Sequence, residues 1–134
     1  MAASSVDTRL VISTRRGPAA VGPYSQAIKA LGLIFVSGQI ALDPRNQQLV
    51  EGGIEAHTER AIQNVEAILI EAGSDLSHVV RCILYLTTMD HFAAANDVYR
   101  RYFQSDPPAR TTVAVSALPR NSLVEIEATA LVRT

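Results

Sequence analysis

The stretch Val79-Val80-Arg81-Cys82-Ile83-Leu84-Tyr85-Leu86-Thr87 decides the fold. Side chains along a strand alternate between faces, so Val80, Cys82, Leu84 and Leu86 share one side and Val79, Arg81, Ile83 and Tyr85 the other. Both sides are largely apolar, and such a strand belongs inside a sheet, covered on both faces. Upstream, Ile54, Ala61, Ile62, Val65, Ile68, Leu69 and Ala72 form one apolar helical stripe. Glu55, Glu59, Arg60, Gln63, Glu66 and Glu71 occupy the opposite side, and Gly73 is a natural stop. Downstream, Asp90 is placed to cap a second helix over about 91–104. Its stripe is Phe92, Ala95, Tyr99, Tyr102 and Phe103, and Asp106-Pro107-Pro108 ends it.

Working outward, residues 6–14 read as a first strand and 17–24 as a Gly/Pro-rich loop. Residues 27–31 and 33–37 read as a hairpin around Gly32, followed by a turn at Asp43-Pro44-Arg45-Asn46. Two strands, 110–117 and 123–132, close the chain around a loop at 118–122. Strands paired at both ends with two helices between them predict an α+β fold: a mixed β-sheet with both helices packed on one face. The other face is left for something else to cover.

The chain of 134 residues suits a single domain spanning 1–134. Hydrophobic residues are 48% of it, enough for a core, and charged residues only 19%, a hint that another subunit covers some surface. The net charge of −1, with eleven Arg and one Lys (Lys29), argues against a general nucleic-acid binder. Met1-Ala2-Ala3-Ser4-Ser5 does not read as a secretory signal, and no apolar run approaches the ~20 residues of a membrane span. The expected setting is the cytoplasm.

Metal and nucleophile chemistry find little support. His57, His78 and His91 are scattered and read as surface histidines, and Cys82 reads as a packed thiol. Phosphate-binding glycine loops are absent. Polar residues at strand starts remain. Arg110 opens a strand after Pro107-Pro108-Ala109, where a guanidinium can hold a carboxylate bidentately; spacing alone does not separate this from a surface ion pair. Glu125 and Glu127 share one face of the last strand, opposite Val124, Ile126, Ala128, Ala130 and Val132. A carboxylate pair suggests acid–base work, while the pattern by itself favours a solvated strand face. Ser37-Gly38 ends an apolar strand where backbone N–H groups could meet an anion, and Tyr24 follows a rigid Gly22-Pro23. If the last two strands form a hairpin centred near Arg120, Arg110 and Glu125 lie about five residues apart, roughly 17 Å. One small ligand could then touch both only across a subunit interface.

Five stretches carry a resemblance. They are Gly22-Pro23-Tyr24-Ser25-Gln26-Ala27, Val36-Ser37-Gly38-Gln39-Ile40, Asn96-Asp97-Val98-Tyr99-Arg100-Arg101-Tyr102-Phe103, Pro108-Ala109-Arg110, and the run from Val113 to Glu127 with Leu118-Pro119 and Val124-Glu125-Ile126-Glu127. In this order and spacing the chain resembles the RidA (YjgF) family of reactive-intermediate deaminases. The resemblance implies a chorismate-mutase-like fold, a homotrimer with pockets between subunits, and no metal or organic cofactor. It also implies hydrolysis of 2-imino acids, released by pyridoxal-phosphate dehydratases, to 2-keto acids and ammonia. Arg110 matches the arginine that binds the substrate carboxylate, and Glu125 the acid that orients water. Tyr24, Ser37, Gly38 and Asn96 match pocket residues. Many members have Cys where this chain has Thr112, a position that chiefly offers its backbone N–H to substrate. Two other readings stand beside it: a module on the same scaffold sensing a small carboxylate or keto acid, and a ribonuclease or translation inhibitor, a label this family has also carried.

Overall fold

The computed structural model describes residues 8–134. Its strands are β1 (Leu10–Ile12), β2 (Ala27–Ala30), β3 (Leu33–Gln39), β4 (Leu42–Asp43), β5 (Gln48–Leu49), β6 (Val79–Leu86), β7 (Ala109–Ala114) and β8 (Val124–Leu131). Helix α1 spans Ile54–Glu71 and α2 spans Phe92–Tyr102. Six strands form one sheet in the order β1-β2-β3-β8-β6-β7, and β4-β5 make a small hairpin around the expected turn. Only β6 and β7 are parallel; the other neighbours are antiparallel. The expected mixed α+β architecture is what forms. Of the first expected strand, Val6 and Asp7 lie outside the described residues, and among the rest the strand is Leu10–Ile12.

The two-residue turn between β2 and β3 puts Leu31 at φ 56° and Gly32 at φ 76°, a left-handed pair whose twist matches the flanking strands. Helix α1 packs on β3 and β8 and against α2. Its predicted stripe is buried throughout, and the core joins it to Ile34, Leu84, Leu86, Val98, Val124 and Ile126. Cys82 is fully buried, as expected of a packed thiol.

The sequence misleads at four points. First, 110–117 and 123–132 do not pair as a hairpin. Helix α2 carries the chain back so that β7 lies parallel to β6 on its outer side, and β8 enters between β3 and β6. The short link through the 3-10 turn Pro119–Asn121 crosses the end of β6. Second, the β6–β8 register slips between Val79 and Arg81. That bulge turns Val79 into the core and leaves Val80 40% exposed, the reverse of simple alternation. Third, the cap before α2 is the Thr88 side chain, which accepts from the Asp90 N–H and opens a 3-10 turn over Met89–His91. Asp90 does not cap, and the helix stops at Tyr102, not Gln104.

Fourth, His57 is no surface histidine. Between Ile54 and Ala61 the apolar stripe lacks a turn, and His57 and Thr58 fill it, both buried. The His57 Nδ1 accepts the Leu123 N–H at 3.1 Å, just before β8. Asn64, also buried, donates to the carbonyls of Ile40 (3.1 Å) and Leu42 (2.8 Å). Ser122 donates to Val124 O and accepts from the Ala41 N–H. These polar side chains fix where β8 begins and where the chain leaves β3. Leaving such buried partners unsatisfied costs about 1–3 kcal/mol each.

Burial holds the His57 pKa below the ordinary 6.5. A histidine whose folded pKa is depressed takes up its proton more readily when unfolded. Its contribution is therefore complete above pH 6.5 and is lost as the pH falls below that value. In urea melts between pH 7.5 and pH 5, wild type should lose more stability than His57→Gln, whose amide can keep the Leu123 contact without titrating.

Candidate active site

The structure brings the sequence-flagged residues together in two groups, not one. Tyr24, Ser37, Gly38 and Glu125 line a cleft of about 370 Å³ together with Pro18 and Pro119. Asn96 and Arg110 line another, of about 390 Å³, with Tyr99, Arg100, Phe103 and Pro108.

Register explains the separation. Arg110 is opposite Cys82 on β6, so its side chain leaves by the helix-covered face. Glu125 is opposite Tyr85, so its side chain leaves by the other. The two therefore stand on opposite faces of the sheet, with β6 between their strands. That no single ligand touches both within one chain thus holds, but through facing and not through the hairpin distance inferred from sequence.

The Glu125 cleft is built on a bulge. Between the pairs Val36–Ala128 and Gln39–Ile126, β3 spends two residues, Ser37 and Gly38, against Glu127 alone. Gly38 lets the backbone lie close to Glu125: a Cβ on it would sit 2.6 Å from Oε2 and push the carboxylate aside. The Ser37 hydroxyl donates to Ser25 O at 2.6 Å, tying the bulge to the loop that carries Tyr24. Gln26, itself buried, donates to Thr14 O (3.0 Å) and Pro18 O (2.7 Å) and accepts from the Thr14 N–H (2.7 Å). It fastens the 14–18 wall of the cleft. Tyr24 remains 53% exposed at the rim, available to a neighbour or a ligand.

Glu125 is a partly buried carboxylate whose pKa is raised, first by desolvation and then by the charge of Glu127. Glu127 takes a hydrogen bond from the Tyr85 hydroxyl, which pushes the tyrosine up to about 12. Of this pair, Glu125 is the carboxyl that burial and its like-charged neighbour push toward holding a proton.

The Arg110 cleft lies at the sheet edge. The guanidinium stands over the Tyr99 ring, 4.7 Å from its centroid, and 5.8 Å from that of Phe92. Among the described residues none of the ion pairs involves it. Thr112 follows on the same face of β7, opposite Leu84, and lines neither cleft; its hydroxyl is enclosed without a hydrogen-bond partner. Sequence reasoning assigned Phe92 and Tyr99 to a core stripe and missed their second role under Arg110. It likewise passed over Tyr85, whose place opposite Glu125 follows only from the register. Among the described residues no three of His, Cys, Asp and Glu gather as a metal site requires. No helix there is long and apolar enough to cross a membrane.

Comparison with known proteins gives one consistent result. A family model described as "Endoribonuclease L-PSP" matches residues 14–132. The protein DfrA of Myxococcus xanthus is 50% identical over 92% of this chain and 95% of its own length. The mouse 2-iminobutanoate/2-iminopropanoate deaminase is 47% identical over 92% of this chain and 91% of its own. YyfA of Yersinia pestis, a crystal structure described as belonging to the conserved Rid protein family, superposes with a TM-score of 0.91 at 42% identity. It covers 93% of this chain and 100% of its own.

Glu127→Gln should lower the pKa of Glu125 toward the ordinary carboxylate value. Carboxyl ¹³C titration by NMR checks this, and an unmoved Glu125 would show that desolvation alone raises it.

Proposed function

Since the chain belongs to the endoribonuclease L-PSP family, the Rid proteins, we propose that it hydrolyses 2-imino acids to 2-keto acids and ammonia. The observation that carries the reading is the pairing of an uncommitted cation with a raised carboxylate in two separate half-sites. Arg110 has the geometry for a substrate carboxylate, and Glu125 for a base acting on water. The imines of small amino acids fit this division: one end is an anion, and the adjacent carbon is an electrophile once its nitrogen is protonated.

The reaction needs little beyond placement. Arg110 holds the carboxylate bidentately, helped by Asn96 and a backbone N–H near Thr112 on the edge strand. Water held by Glu125 attacks the imine carbon; its oxygen bonds to that carbon while the C=N π pair passes to nitrogen. Glu125 takes the water's proton and returns it to the nitrogen of the carbinolamine. The C–N bond then breaks as Glu125 takes the hydroxyl proton and the oxygen forms the C=O bond. That proton, equal to the one that protonated the imine, returns to solvent, so that one neutral imine and one water give one keto acid and one ammonia. A raised pKa makes Glu125 a stronger base than a free carboxylate. Tyr24, Ser37 and Gly38 shape the wall opposite the attacking water.

Two half-sites on opposite faces make one site when the Glu125 face of one subunit meets the Arg110 edge of the next, an arrangement that the homotrimer implied by the family resemblance would supply. The face away from the helices supports it, exposing Phe35 (45%), Val113 (39%) and Leu131 (46%) beside Tyr85 and Glu125.

In a coupled dehydratase assay of ammonia release, Arg110→Ala and Glu125→Ala should each lower kcat/KM by about 10²–10⁴-fold with the oligomer intact. No acceleration by wild type over buffer would sink the proposal. Glu125→Ala losing turnover yet binding 2-oxobutanoate as tightly as wild type separates catalyst from sensor: an unaffected Glu125→Ala would favour the sensing module. RNA cleavage that co-purifies with the oligomer and survives Arg110→Ala would favour the ribonuclease. Gly38→Ala should also reduce kcat, because its methyl group displaces the Glu125 carboxylate; a crystal structure of that variant shows the displacement directly.

A further inference from the structure

We infer that the rings of Tyr99 and Phe92 are positioning residues: they fix the Arg110 guanidinium while leaving its charge uncommitted for an anionic ligand. The inference rests on the reading of Arg110 as the group that takes the substrate carboxylate.

A half-buried guanidinium at a strand start can be held in two ways. An acidic neighbour would orient it, but would occupy the same N–H groups a ligand needs and cancel the charge that attracts it. An aromatic face orients it through the ring quadrupole and leaves the in-plane N–H donors free at the edges. This site takes the second course. The Arg110 Cζ lies 4.7 Å from the Tyr99 centroid and 5.8 Å from that of Phe92, and none of the ion pairs among the described residues includes it.

The rings are themselves immobilised. Tyr99 is 6% exposed and stacks on Phe103 with centroids 4.5 Å apart. Phe92 packs against the edge of the core at the start of α2. Seven residues, about two turns, separate them on one helix, so a single rigid element presents both to the edge strand. The Tyr99 hydroxyl takes no part in this. It is buried near the Cys82 thiol and has no oxygen or nitrogen partner. The working part is the ring face, whose ordinary explanation, core packing, does not account for a cation stacked on it.

The test uses the full-length oligomer with two readouts: calorimetric binding of 2-oxobutanoate, and steady-state hydrolysis of the imine formed in situ. Tyr99→Leu and Phe92→Leu should each raise the Kd for 2-oxobutanoate and the KM together by about 5–30-fold, with kcat changed less than about twofold. Tyr99→Phe should restore the affinity lost in Tyr99→Leu. Phe92 is only partly buried, so Phe92→Leu keeps the test open if Tyr99→Leu misfolds. The inference is overturned if folded Phe92→Leu and Tyr99→Leu bind 2-oxobutanoate like wild type, if Tyr99→Phe is as weak as Tyr99→Leu, or if wild type binds no 2-oxobutanoate at all. A wild type that binds 2-oxobutanoate but hydrolyses no imine sinks the deaminase reading alone, and the variants' Kd values still decide the role of the rings.

Discussion

Successive side chains on a strand leave by opposite faces, and the rest of this molecule depends on how β8 meets that constraint. Inserted between β3 and β6, β8 sends Val124, Ile126, Ala128 and Ala130 into the core. Glu125 and Glu127 must then point away from it. Arg110, two strands over and aligned with the buried Cys82, is committed to the helix side. Neither choice can be reversed without turning a row of core residues into solvent. The separation of the acid and the cation is therefore a property of the hydrophobic core, and in the proposed oligomer a second subunit closes it.

The two halves are tuned by different physics. On the open face, desolvation and a like-charged neighbour raise the Glu125 pKa, and the Tyr85 hydroxyl holds that neighbour, Glu127, in place. At the edge, the cation is steadied by rings and kept clear of carboxylates. The bulge at Ser37-Gly38 serves the first half by letting backbone approach a carboxylate that a side chain there would push aside. Gln26, with its amide bonded on both ends to the 14–18 loop, keeps that wall from drifting.

Much of this was legible in the residues. The α1 stripe, the β2–β3 hairpin and the alternation of β8 follow from periodicity, because each is a local pattern with one physical solution. The pairing of β7 with β6 was not, since a five-residue gap before 123 favours a hairpin and nothing local records that the slot beside β3 is vacant. The bulge at Val79 defeated face assignment in β6 for the same reason: one extra residue is invisible until its partner strand is known. His57 was misjudged although the missing turn in the α1 stripe marked its place. At the site, Arg110 and Glu125 could be picked out as chemically capable, but spacing left them indistinguishable from surface charges. Register supplied the facing of each, and the helix supplied the rings under Arg110, which sequence could only count as apolar.

The single thiol gains a use from its position. Cys82 sits against α2 in the interior, level with Arg110, where burial pushes its pKa up. A reagent in the solvent reaches that sulfur only when the packing around it opens. The rate at which an alkylating agent consumes Cys82 under native conditions is thus a clock for the opening of the core level with the guanidinium, built into the chain without a label.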